Sequence, residues 1–301
     1  MSRIGIAFSL LGLVTGSLSG AGAITQAAPV KIEQASWTSL KKPVRLANGI
    51  RLSYVELGNP KGRPLILLHG FTDTSRTWSL IAPYLSDYRL LIPDQRGHGA
   101  ADSPPCCYSS HVYADDARQF MDALGIKRAA IIGHSMGSMT AITMAAEYPG
   151  RLSEIVLIGS TALVPVDRGS WLYKSATGLE FPIDPQSEFM REWHPANQPT
   201  PVDAEFAAEA MKEILVVPPQ VWRGVMRELT AVPAGRHAAD VKARVLILSG
   251  GKDPLFPAEH HQSLVEAFPG ADAHVFPELG HNPIWEQPEK LAAIIRSFLE
   301  K

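Results

Sequence analysis

The sequence predicts an α/β fold, a mostly parallel central sheet with helices on both faces and an inserted helical cap, on three observations. Continuous apolar runs at residues 65–68, 90–92, 129–132, 155–158 and 245–248 read as strands covered on both faces. Segments of helical spacing at 77–85, 110–124, 135–148, 257–267 and 288–300 alternate with them. Such alternation joins parallel strands through crossover helices. The stretch 161–240 has no buried-strand run flanked by turns, and it is too long for a plain loop. It carries prolines, helical patches and Trp171, Trp193 and Trp222, and reads as the cap.

Along the chain, Arg3 precedes a mostly apolar stretch at 4–14, and small residues run on through Ala21-Gly22-Ala23. A charged head, a hydrophobic segment and an Ala-x-Ala site match a secretory signal peptide over residues 1–28, cleaved after Ala23 or after Ala28. The expected product is exported, to the periplasm or beyond. An apolar stretch of about 11 residues is too short for the ~20 that cross a bilayer, so no stable span is expected after cleavage.

The first two strands, 44–46 and 50–56, flank Ala47-Asn48-Gly49. Asn48-Gly49 signals a two-residue hairpin turn, because both residues tolerate positive φ. The expected organisation is a core of 44–160 and 241–301 around a cap of 161–240. Each cap tryptophan is read singly as packing between cap and core, and together they suggest an apolar pocket under the cap.

At 301 residues and 46% hydrophobic, the chain can bury one large core with an insertion. A formal charge of −2 gives no electrostatic reason to expect nucleic acid or an anionic membrane as partner. No Cys/His pattern for a metal is present. Cys106 and Cys107 are adjacent and are the only cysteines. A trans peptide sets their Cα atoms about 3.8 Å apart, below the usual disulfide range. A vicinal disulfide and two free thiols both stay open.

The motif with most chemical content is Gly133-His134-Ser135-Met136-Gly137, between the strand at 129–132 and the helical pattern beyond. It reads as a serine on a sharp strand-to-helix turn, with glycines where side chains would collide. A serine hydroxyl needs a base, and the base needs a carboxylate to fix its tautomer. In this architecture the order is serine, acid, histidine, each on a loop beyond the carboxyl end of a strand. Asp253 lies past the strand at 245–248, in Lys252-Asp253-Pro254, and His281 lies in the last loop before the final helix. Ser135, His281 and Asp253 are therefore the expected nucleophile, base and orienting acid. The oxyanion would be held by the N–H groups of Met136 and Phe71, the latter in His69-Gly70-Phe71-Thr72, where the Thr72 hydroxyl is a further candidate. His134 and His69 are read as structural, His260 and His261 as solvated. Asp94, Arg96 and His98 are read as a structural network, since that turn lacks the arrangement of a phosphate loop.

With His69-Gly70-Phe71, Asp94-Gln95-Arg96-Gly97-His98-Gly99, Gly133-His134-Ser135-Met136-Gly137, Lys252-Asp253-Pro254 and Gly280-His281 in place, residues 44–301 resemble the α/β-hydrolase superfamily. The resemblance is to its capped serine-hydrolase members, which include enol-lactonases, carbon–carbon bond hydrolases and haloperoxidase-like esterases. Ser135 departs from the epoxide hydrolases and haloalkane dehalogenases, which carry aspartate at the elbow, and disfavours those activities. Ser138 stands where many relatives carry glycine, a difference expected to alter elbow packing. The expectation is an exported hydrolase of a small apolar carboxylic ester or lactone, using an acyl-enzyme and no cofactor. The alternatives are carbon–carbon hydrolysis of a diketone-like substrate and a non-catalytic ligand-binding protein on the same scaffold. Substrate identity rests with the cap, whose geometry periodicity does not give.

Overall fold

The computed structural model describes residues 30–301, so the signal-peptide expectation lies outside the described residues. The strands are β1 (Lys42–Arg45), β2 (Arg51–Gly58), β3 (Pro64–Leu68), β4 (Arg89–Asp94), β5 (Ala129–His134), β6 (Leu152–Ile158), β7 (Arg244–Gly250) and β8 (Asp272–Phe276). They form one sheet in the order β1-β2-β4-β3-β5-β6-β7-β8. The β1–β2 and β2–β4 pairs are antiparallel and all others parallel. The α-helices are α1 (Ser110–Ala123), α2 (Met136–Glu147), α3 (Trp171–Thr177), α4 (Glu188–Glu192), α5 (Ala204–Leu215), α6 (Pro219–Leu229), α7 (Ala258–Ala267), α8 (Pro283–Glu286) and α9 (Pro288–Leu299).

Alternation along the central strands supplies two apolar faces. Ile66, Leu68, Ile131, Ile155, Leu157 and Ile247 pack with Ala117 and Phe120 of α1, Ile142 and Ala145 of α2, and Leu264 of α7. Their neighbours Leu65, Leu67, Ile132, Val156, Ile158 and Leu248 face Trp78, Leu85 and the Leu291–Ile295 stripe of α9 on the other side. Strands buried on both faces read as unbroken apolar runs, which is why they were visible without alternation.

Three local features differ from expectation. The β1–β2 turn is a three-residue loop: Leu46 N–H donates to Ile50 O and Gly49 N–H to Leu46 O. Of Asn48 and Gly49 only Gly49 takes a positive φ, 89°. Asn48 works through its side chain, accepting from Ile50 N–H and donating to Asp116. Residues 77–85 form no single helix but lie across two 3-10 turns, Ser75–Trp78 and Ala82–Leu85. Pro83, near the start of the second turn, removes a donor that a continuous helix would need. Asp94, Arg96 and His98 divide their work. Buried Asp94 accepts from Lys41 Nζ (2.8 Å), Ser75 N–H (2.8 Å) and Ala100 N–H (2.9 Å), whereas Arg96 forks onto Asp116 (2.7 and 2.8 Å). His98 donates to Arg96 O, and burial, reinforced by His69, lowers its pKa to about 3.

Helices α3 to α6 stand between β6 and β7 as the cap. Its underside forms a third apolar cluster, in which Phe189, Val221, Trp222 and Met226 meet Phe71, Met136 and Met139 of the core. The tryptophans divide: Trp222 is fully buried, its ring edge-on to Phe71 at 4.9 Å, while Trp171 is 42% exposed. A 3-10 turn, Ala234–Asp240, leads back to β7, and its Ala238 is buried in the cluster that contains α2. Cys106 and Cys107 are joined in a vicinal disulfide, with Cys107 at φ 75°.

Candidate active site

Ser135 sits between β5 and α2 at φ 50°, ψ −117°, a strained conformation for a residue with a side chain. The flanking glycines are sterically required. A Cβ on Gly133 would lie 2.4 Å from Gly137 O, and one on Gly137 would lie 2.1 Å from Leu68 O. Ser138 does alter the packing here: its hydroxyl donates to Gly133 O (2.7 Å) and accepts from Ile158 N–H (3.1 Å). One side chain thus stitches the elbow to the end of β6.

Asp253 follows β7 and is 5% exposed. Its Oδ1 accepts from the N–H groups of Leu255 (2.8 Å) and Phe256 (2.9 Å), and its Oδ2 accepts from His281 Nδ1 at 2.8 Å. Burial alone would raise this carboxyl's pKa, but the His281 imidazole and the two amides outweigh it and hold it below 3.8. With Nδ1–H committed to Asp253, His281 presents a lone pair at Nε2. Ser135 and His281 line one cavity of about 530 Å³, together with Phe71, Trp171, Trp193 and Leu255.

The turn after β3 runs beside the serine, since a Cβ on Gly70 would lie 3.3 Å from Ser135 Cβ. Met136 opens α2, so its N–H has no partner within the helix. Phe71 packs its ring under the cap and shares the cavity. The Thr72 hydroxyl accepts from Trp193 Nε1 at 3.0 Å, which ties the turn to the cap. His69 donates to Gly70 O and accepts from Gln95 N–H, a structural role. His260 and His261 are not simply solvated: they are half-buried and pair with Thr161 and Ser249.

Two further supporting residues, Gly159 and Glu286, have no counterpart in the sequence reading, and His134, expected to be structural, acquires a specific partner. Gly159, just past β6 at φ 52°, admits the His281 loop. His134 donates from Nε2 to His281 O at 3.1 Å, while its buried Nδ1 faces Asp73 Oδ2 at 3.6 Å. Glu286 accepts from Gly280 N–H with one oxygen and from Thr200 with the other. A glycine directly after a buried strand was the one available signal, and it marks Gly159. The other two roles arise from contacts between distant segments.

Residues 63–182 match the family described as alpha/beta hydrolase fold. Similar proteins include the 2-hydroxy-6-oxo-6-phenylhexa-2,4-dienoate hydrolase of Burkholderia cepacia, 28% identical over 258 residues, which span 79% of this chain and 88% of that one. Lipase 1 of Psychrobacter immobilis is 26% identical over 275 residues, 85% of this chain and 83% of its own. The crystal structure of the enol-lactonase from Burkholderia xenovorans LB400 superposes with a TM-score of 0.74 at 21% identity, covering 86% of this chain and all (100%) of that one. The chain has the α/β-hydrolase fold, and the proteins it is similar to carry names of dienoate hydrolases, lipases, esterases and an enol-lactonase. No helix among the described residues is long and apolar enough to cross a membrane.

Proposed function

We propose that this chain is an exported serine hydrolase that cleaves a carboxylic ester or lactone through an acyl-enzyme. The observation that carries the reading is the 2.8 Å Asp253–His281 bond opening onto the cavity where Ser135 sits on its strained turn. Ser135 Oγ attacks the carbonyl carbon while His281 Nε2 accepts its proton, and Asp253 stabilises the imidazolium. The Phe71 and Met136 amides hold the carbonyl oxygen as it becomes negative. Collapse expels the alkoxide, which takes the proton from His281. Water, deprotonated by the same nitrogen, then attacks the acyl carbon, and Ser135 leaves with that proton.

The charge of the cavity wall supports a neutral substrate. Asp73 and Glu192 line it against the single cation Lys252, amid an aromatic and aliphatic surface. An anionic dienoate, as in the name of the Burkholderia cepacia relative, meets net negative charge there. The test is a panel of aryl esters, lactones and vinylogous diketones offered to the mature protein, with fluorophosphonate labelling. Ester or lactone turnover with label on Ser135 is expected, and Ser135→Ala should lose about 10⁴-fold or more in kcat with its fold intact. Turnover of the diketones alone would reassign the reaction, and full activity in Ser135→Ala would refute it. Export is tested by expressing the full chain in a bacterial host, with a mature N-terminus expected at residue 24 or 29.

A further inference from the structure

We propose that His111, Glu147 and His237 form a site for one divalent transition-metal ion of the Zn²⁺ kind, outside the Ser135 cavity and independent of the reaction proposed above. One ligand-capable atom from each residue lies within 4.8 Å of the other two. The three come from separate elements: the first turn of α1, the last residue of α2, and the 3-10 turn Ala234–Asp240. Two imidazole nitrogens and a carboxylate oxygen suit Zn²⁺, which takes mixed nitrogen and oxygen donors with water completing the shell. Ca²⁺ and Mg²⁺ prefer all-oxygen sets.

The two imidazoles of this cluster already face a cation. Arg236 Nε donates to His237 Nε2 at 2.7 Å, so that nitrogen presents a lone pair, and Arg236 Nη2 packs against His111 Nε2. The other ring nitrogen of His111 pairs with one Glu147 oxygen, so the second carboxylate oxygen is the one that would turn to the ion. Arg236 is exposed, so its guanidinium can swing into solvent and yield its place to an ion. Bound there, the ion would fasten the chain's return from the cap onto α1 and α2. The ligands are far apart in the sequence, which is why no Cys/His spacing announced them.

The experiment is calorimetric titration of Zn²⁺ into chelator-treated, tag-free mature protein, with thermal melts in parallel. One ion per chain is expected, with a raised melting temperature. His111→Ala, His237→Ala and Glu147→Gln should each weaken binding about tenfold or more, and Arg236→Ala should tighten it by removing the competing cation. Mg²⁺ should give no saturable heat. Absence of a one-to-one isotherm in both the wild type and Arg236→Ala would overturn the site. So would wild-type affinity in the two histidine variants. None of these residues lines the Ser135 cavity, so ester turnover serves as the check that each variant is folded.

Discussion

Gly159 and His281 are in contact across the end of the sheet: a Cβ on Gly159 would stand 2.7 Å from the His281 carbonyl oxygen and 3.3 Å from its ring. The position is doubly restricted, because Gly159 also takes φ 52°. A side chain there must push the His281 loop away or force a left-handed conformation on a residue that resists it.

Gly159→Ala should therefore damage the reaction more than the fold. A displacement near 1 Å at a reacting group costs on the order of 100-fold in rate. The strain itself is roughly 1–2 kcal/mol, or roughly 2–8 °C in melting temperature. Steady-state kinetics beside a thermal melt checks this, and a variant with unchanged kcat would show that His281 does not depend on this contact.

Asp253→Asn should lower kcat by about 10⁴-fold, as expected when an orienting carboxylate is neutralised. Its effect on stability depends on pH, with a sign the geometry fixes. The folded-state pKa is depressed, so the ionised carboxylate stabilises the fold above its unfolded value near 3.8, and that contribution is lost as pH falls through the folded value. Urea midpoints should thus show the wild type losing stability below about pH 4 more steeply than Asp253→Asn. Parallel curves would mean that the His281 and amide contacts do not bias the carboxyl.

Lys41→Met tests the buried pair at the edge of β4. Lys41 and Asp94 are both almost wholly enclosed, with side chains 7% and 0% exposed, and meet at 2.8 Å. Removing one partner of such a pair costs about 3–5 kcal/mol, because the other charge stays buried. Chemical denaturation should show a loss in that range, with an active-site label on Ser135 still attaching at low denaturant.

What was legible in the sequence follows from where each constraint lies. The elbow could be read because the glycines at 133 and 137 obey a local steric rule within one turn. Asp253 and His281 could be placed because loops after successive parallel strands gather at one edge of the sheet. The strands are clear as apolar runs, whereas residues 77–85 have helical spacing yet break into two 3-10 turns, with Pro83 near the start of the second. Gly159 and Glu286, and the partner of the structural His134, are not legible because the residues they meet are remote along the chain. Arg96 and Asp94 share one short turn, yet each chose a partner from another element, Asp116 and Lys41. Spacing within a motif carries no information about such choices.

Glu286 has a mechanical consequence. Its two oxygens grip Gly280, immediately before His281, and Thr200 of the segment between α4 and α5. One carboxylate thus clasps both the roof and the loop that carries His281, so a shift of either strains the other.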